Sequence, residues 1–288
     1  MFLALLAVMT WRQSQMYGDL ESLYRATLTK NPACWMCRNN LGLWLFDRGD
    51  TTAALEQYRA ALELRPAYPE AHNNMGNALM QAGRFDDALA HYQSALKLIP
   101  DYADAHHNIG ILSLRAGRPA EAVVHEQEAL KINPYNAQSE NNLGTALALV
   151  NRVPESLTHF EAAVRLKPDY IDAYNNLGNA LMRLGRTPEA IARYEQALRI
   201  APDAAETEYL LGNALTQANR HAEAITHYQN VVRRRPDHVD AHVNLGNALY
   251  ETGRLAEAKQ EYEAALRIRP DYPPARQNLA AIQNQAKR

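Results

Sequence analysis

Glycine recurs every 34 residues without slippage, at Gly42, Gly76, Gly110, Gly144, Gly178, Gly212 and Gly246. Proline follows each glycine by 24 residues, at Pro66, Pro100, Pro134, Pro168, Pro202, Pro236 and Pro270. A chain with such a period cannot be built around one centre. Each copy is a supersecondary unit too small to bury its own apolar face, so the copies must stack into a continuous array. The period therefore overrides the one or two globular domains that 288 residues would otherwise suggest.

With Trp35 as the first place of the first copy, the seventh place is apolar throughout: Leu41, Met75, Ile109, Leu143, Leu177, Leu211 and Leu245. Glycine follows it, and Leu45, Leu79, Leu147, Leu181, Leu215 and Leu249 occupy the eleventh place, an i, i+4 stripe on a first helix. Glycine inside a helix costs about 1 kcal/mol, so its recurrence predicts close approach of a second helix. That helix carries small residues (Ala54, Ala88, Ala122, Ser156, Ala190, Ala224, Ala258). Four residues later come Tyr58, Tyr92, Glu126, Phe160, Tyr194, Tyr228 and Tyr262. Gly49, Gly83, Gly117, Asn151, Gly185, Asn219 and Gly253 separate the two helices, all of residue types that tolerate a left-handed turn. Pro119, Pro154 and Pro188 fall at the start of second helices, where no amide hydrogen is needed. Lys97, Lys131, Arg165, Arg199, Arg233 and Arg267 match the negative end of the second-helix dipole. Asp101, Asp169, Asp203, Asp237 and Asp271 are placed to open the next connection.

On these residues, 35–272 resemble seven tetratricopeptide repeats, at 35–68, 69–102, 103–136, 137–170, 171–204, 205–238 and 239–272. The resemblance implies an all-α solenoid, a right-handed superhelix of antiparallel helix pairs. The tryptophan usual at the fourth place is missing. The third copy has Glu126 where a ring belongs and the fourth has Ser156 for alanine, so the joint between these copies is expected to be the softest.

Outside the repeats, residues 17–34 read as a degenerate half repeat, with Tyr24 and Pro32 in phase. Residues 273–288 read as a capping helix with Leu279 and Ile282 inward and Gln277, Asn278, Gln283, Asn284, Gln285, Lys287 and Arg288 outward. Residues 1–16 read as an apolar N-terminal helix. Met1 to Trp11 are too short to cross a bilayer, which takes about 20 residues. Either they replace the first helix of a leading repeat or they are the stub of a membrane helix, and membrane contact is expected only through residues 1–11. The stretch from Trp11 through Tyr17, Leu23 and Asn31-Pro32 into Asn40-Leu41-Gly42 resembles the junction in multi-pass membrane glycosyltransferases that carry such tails.

A formal charge of −2 argues against a nucleic-acid partner, and Arg233, Arg234 and Arg235 read as the solvated end of a helix. Cys34 and Cys37 lack a second pair of ligands for zinc, a histidine for haem and a preceding strand for a thioredoxin-like centre. They read as packing, with a local disulfide as the alternative. No phosphate loop, nucleophile elbow or His-Glu-x-x-His pair occurs, so no catalytic residue, metal site or cofactor is expected. His72, His106 and His242 share one place, and His91, His125, His159 and His227 another. Equivalent copies about 8–10 Å apart are too far apart to share a metal.

Asparagine recurs away from the core although it is a middling helix former. The sixth place holds Asn40, Asn74, Asn108, Asn142, Asn176, Leu210 and Asn244, and the ninth includes Asn77, Asn179, Asn213 and Asn247. The second place is acidic in most copies: Glu70, Asp104, Asp172, Glu206 and Asp240. Two readings stand side by side: the amides hold neighbouring repeats in register, or they form a ladder that binds the backbone of an extended peptide. Rungs about 8–10 Å apart meet an extended chain every three residues or so. Asn73-Asn74-Met75-Gly76-Asn77-Ala78-Leu79 and its copies resemble the repeats of O-linked N-acetylglucosamine transferase. That resemblance implies substrate-peptide contacts at the sixth-place asparagines. A carboxylate clamp would want lysine at the fifth place, where Asn39, Asn73, His107, Asn141, Asn175, Tyr209 and Val243 stand.

The expected function is a non-enzymatic scaffold that holds an extended, basic segment of another protein. The alternative is an accessory domain of a membrane glycosyltransferase that presents acceptor protein. An independent protein starting at Met1 would be cytoplasmic; a fragment of the larger enzyme would be membrane-tethered and extracytoplasmic.

Overall fold

The computed structural model describes residues 20–285 as helices joined by short turns, with no strand among them. The chain divides into two compact units, one ending at Tyr135 and the other beginning at Asn136. In the first unit α1 (Leu20–Lys30) precedes three helix pairs. These are α2 (Trp35–Asp47) with α3 (Thr51–Leu64), α4 (Pro69–Gln81) with α5 (Phe85–Leu98), and α6 (Ala103–Arg115) with α7 (Pro119–Ile132). The second unit holds four pairs and a last helix. Its pairs are α8 (Ala137–Leu149) with α9 (Val153–Leu166), α10 (Ile171–Arg183) with α11 (Thr187–Ile200), α12 (Ala205–Gln217) with α13 (His221–Arg234), and α14 (Val239–Glu251) with α15 (Leu255–Ile268); α16 (Pro273–Gln285) follows. Within each unit consecutive helices pack on one another. The expectations for residues 1–16 and for Lys287 and Arg288 lie outside the described residues, as does the side chain of Gln285.

Every pair is closed by the contact that the glycine period predicts. A Cβ built on Gly178 would lie 2.4 Å from Tyr194 Cε1, and one on Gly76 2.5 Å from Tyr92 Cε1, so only a hydrogen fits where the ring crosses the first helix. Tyr58, Tyr92, Tyr194, Tyr228, Tyr262 and Phe160 are all buried. In the third repeat the buried Glu126 carboxylate takes the ring's place against Gly110 and meets His107 Nδ1 at 3.0 Å. The first unit's core runs from Leu41 to Ile109 and the second's from Val153 to Ile282.

The turns adopt positive φ at all seven expected residues, including Asn151 (64°) and Asn219 (58°), where an asparagine tolerates the left-handed region without glycine's freedom. The aspartates open the connections as their spacing predicts. Asp101, Asp169, Asp203 and Asp237 stand one residue before the N-cap, which is Tyr102, Tyr170, Ala204 or His238. Second helices from α5 to α15 begin after an arginine that reaches a carboxylate three residues on, as Arg152 does to Glu155 and Arg220 to Glu223. That side chain places a negative charge in the first turn, where the dipole favours it.

Three expectations need correction. Cys34 and Cys37 are joined in a disulfide, because a three-residue separation at the start of α2 brings their Cα atoms to 5.3 Å. Arg234 is not merely solvated; it pairs with Asp203 and approaches Glu208 at 3.6 Å. In α16, Ala275 and Ile282 are buried as an inward face requires, but Asn278 turns inward and its Nδ2 donates to Asn247 Oδ1 at 2.7 Å.

Candidate functional site

The asparagines divide into three sets with different partners. The fifth-place amides Asn39, Asn73, Asn141 and Asn175 are buried. Three of them receive a hydrogen bond from the sixth place of the next repeat: Asn74 Nδ2 donates to Asn39 Oδ1 (3.1 Å), Asn108 to Asn73 (2.9 Å) and Asn176 to Asn141 (2.9 Å). In the sixth repeat the fifth place is Tyr209, and Asn244 Nδ2 reaches its hydroxyl (3.2 Å) and Asn213 Oδ1 (3.0 Å). Asn278 shows that α16 continues the sixth-place series beyond the last repeat.

The ninth-place asparagines meet a need set by the core. Tyr92, Tyr194, Tyr228 and Tyr262 each donate a hydroxyl to the asparagine 15 residues earlier: Asn77, Asn179, Asn213 and Asn247, at 2.7–2.8 Å. A buried hydroxyl without a partner costs about 1–3 kcal/mol, so a tyrosine at the ring position calls for a polar ninth place. Where the ring is Phe160 the ninth place is Thr145, and where it is Glu126 the ninth place is Ile111. The first repeat breaks the rule: its ninth place is Leu43, and the Tyr58 hydroxyl has no hydrogen-bond partner. Burial raises the Tyr228 and Tyr262 hydroxyls to about 12, so both remain protonated donors.

Asn74, Asn108 and Asn176 each use one N–H in the bond to the preceding repeat and are only half-buried. Their Oδ1 and second N–H make no further hydrogen bond among the described residues. Asn40 is exposed, its Oδ1 accepting from Asn39 Nδ2, and Asn142 is half-buried and engaged. Glu70, Asp104, Asp172, Glu206 and Asp240 are all exposed. Burial first, then the charges of Asp104 and Glu70, push the Tyr102 hydroxyl up to about 12. Burial and Asp172 raise Tyr170 in the same sense. Asp240 accepts from the Tyr272 hydroxyl. In the second unit a cavity of about 570 Å³ lies among α12 to α16, lined among others by Thr216, Asn247, Tyr250, Tyr262 and Asn278.

The histidine places also meet, though not with their own kind. In five of the seven repeats the fourth place of the first helix meets the residue 19 positions on in the second helix. His72 and His91 approach Nδ1 to Nδ1 at 3.0 Å, and His106 and His125 do the same. In the second unit the slot holds Glu140 with His159 (2.7 Å), Glu208 with His227 (2.5 Å) and His242 with Glu261 (2.6 Å). Spacing between equivalent copies could not reveal these pairs; the 19-residue separation, once the helix pairs are placed in register, does. Among the described residues no group of three or more His, Cys, Asp or Glu side chains could hold a metal ion. Nor is any described helix long and apolar enough to cross a membrane.

Family models described as tetratricopeptide repeat match residues 68–134, 135–203, 169–237 and 209–273, and one described as TPR repeat matches 42–83. No curated protein matches the chain. Among solved structures, the chain is similar to YrrB, described as a TPR protein with an unusual peptide-binding site. They share 22% identity over 64% of this chain and 95% of YrrB, with a TM-score of 0.54. It is similar to PilF of Pseudomonas aeruginosa at 19% identity over 76% of this chain and 97% of that one (TM-score 0.64). Against the APC/C hetero-tetramer Cut9-Hcn1 the identity is 18% over 80% of this chain (TM-score 0.68), and the match spans 45% of that chain's length. These likenesses concern the fold, and the family models cover most of the repeats. The chain belongs to the tetratricopeptide repeat family.

Proposed function

We propose that this protein is a non-enzymatic interaction scaffold that binds an extended segment of another protein along the sixth-place asparagines of its first helices. Asn40, Asn74 and Asn108 serve the first unit, and Asn142, Asn176 and Asn244 the second. One observation carries the reading: Asn74, Asn108 and Asn176 are anchored by a single N–H and keep an acceptor and a donor on a half-buried face. Such an amide matches the N–H and C=O of an extended backbone without reading its side chains. The anchoring bond also fixes the rotamer, which lowers the ordering cost of binding. The register reading and the ladder reading are therefore compatible, because each amide can do both.

The ninth-place Asn77, Asn179, Asn213 and Asn247 border the face, but their Oδ1 atoms are committed to tyrosines. Only their Nδ2 groups contribute to binding. The exposed Glu70, Asp104, Asp172, Glu206 and Asp240 favour a partner with basic side chains. YrrB, whose description names a peptide-binding site, supports the class of partner.

The test is a peptide-library screen followed by replacement with leucine, which Leu210 shows the sixth place to accept. Asn74→Leu with Asn108→Leu should weaken the selected peptides at least tenfold while far-UV dichroism is retained. Unchanged affinity in a folded double variant would refute the ladder.

A further inference from the structure

We propose that the two imidazole pairs of the first unit, His72 with His91 and His106 with His125, are chelating sites for a divalent transition-metal ion of the Ni(II) or Cu(II) class. His72 Nε2 lies 3.0 Å from Pro66 O, and His106 Nε2 3.0 Å from Pro100 O. A carbonyl only accepts, so both Nε2 atoms carry hydrogen, and each neutral ring turns the lone pair of Nδ1 toward its neighbour. Backbone carbonyls hold metal-ligating histidines in this tautomer and orientation.

The partner rings complete the pair. His91 and His125 now donate from Nδ1; transfer of that hydrogen to Nε2 through solvent exposes a second lone pair, with no net proton released. Two nitrogens about 2.1 Å from one ion at a right angle lie about 3.0 Å apart, the separation seen in both pairs. The lone pairs then converge beside the line joining the nitrogens, and the rings turn as the ion enters. Tetragonal and octahedral ions accept this angle, and imidazole suits them.

The surroundings leave room for an ion. His72 and His91 line a cavity of about 420 Å³ with Arg59, Glu63 and Met75, and His125 lines one of about 300 Å³. One turn before each partner ring stands a carboxylate held in an exposed ion pair, Asp87 with Arg84 and Glu121 with Arg118. These carboxylates stay in their ion pairs, and water fills the open coordination positions. The second unit offers no equivalent. His242 donates from both nitrogens, to Pro236 O and Glu261, and has no lone pair left, while His159 and His227 each face a carboxylate.

Equilibrium dialysis of the untagged protein against micromolar Ni(II) at pH 7.5 should show two ions bound per chain. His72→Gln should leave one, His72→Gln with His106→Gln none, and His227→Gln two. Should the double variant fail to fold, paramagnetic broadening in the unaltered protein decides the matter. Broadening centred on the imidazole signals of the four paired histidines and their neighbour His107 supports the sites. No uptake, uptake that survives in a folded double variant, or broadening centred elsewhere overturns them.

Discussion

The two units fill the same ring and histidine places differently. Tyr58 has a bare hydroxyl where the ninth place is Leu43, Glu126 fills a ring's place, and two slots hold imidazole against imidazole. In the second unit Tyr194, Tyr228 and Tyr262 all reach an asparagine, and three of the four slots hold imidazole against carboxylate. The difference teaches that the backbone frame is set by the glycine, the turn and the small residues. The polar slots change identity in pairs, and where one member changes alone, as at Tyr58, a buried group is left without its partner.

The largest expected effect tests the most unusual slot. Glu126→Ala would leave His107 facing an empty buried site and should cost the first unit about 3–5 kcal/mol, read as lost hydrogen-exchange protection over residues 103–132. Retained protection would mean that the carboxylate is not structural. Next, Gly178→Ala forces a methyl into the Tyr194 ring and should cost about 2–3 kcal/mol in the second unit, despite alanine's better helix propensity. A neutral result in chemical denaturation would show that the ring is not pinned. Leu43→Asn should instead gain about 1 kcal/mol by giving Tyr58 the acceptor that the other tyrosines have. No gain would detach the tyrosine from its ninth-place partner.

The smallest effect is on pH. Burial first, and then His72 or His106, lower the pKa values of His91 and His125, against the opposing pull of Asp87 on one and Glu121 and Glu128 on the other; Arg84 adds to the lowering at His91. A lowered imidazole stabilises the fold above its unfolded pKa of about 6.5 and loses that contribution as pH falls through the folded value. His242 is raised, chiefly by its hydrogen bond to Glu261, so its contribution is complete below about 6.5 and lost as pH rises through the folded value. Between pH 7.5 and pH 5, exchange protection should fall around His91 and His125 and rise around His242. Parallel changes would contradict the comparison.

Much of this was legible in the chain before any coordinates. The glycine-to-ring spacing identified the helix pair, and Asn151 and Asn219 marked turns as surely as glycine did. The partners of polar residues were harder to read, because Asn74 meets Asn39 across 35 residues and His72 meets His91 across 19. Those distances acquire meaning only with the helices in register. One rule was available and missed: tyrosine goes with asparagine, phenylalanine with threonine and glutamate with isoleucine across copies of the same two places. Asn278 was misread because a terminal helix was expected to present its amides to water, whereas the repeat continues through it.

The proposal that the sixth-place amides hold a partner's backbone is tested most directly by watching those amides. With a peptide chosen by the library screen, the side-chain NH2 resonances of Asn74, Asn108 and Asn176 should shift in step with peptide occupancy. If they stay fixed while the peptide saturates the protein, with the shifts confined to other surfaces, the asparagine ladder does no more than keep the repeats in register.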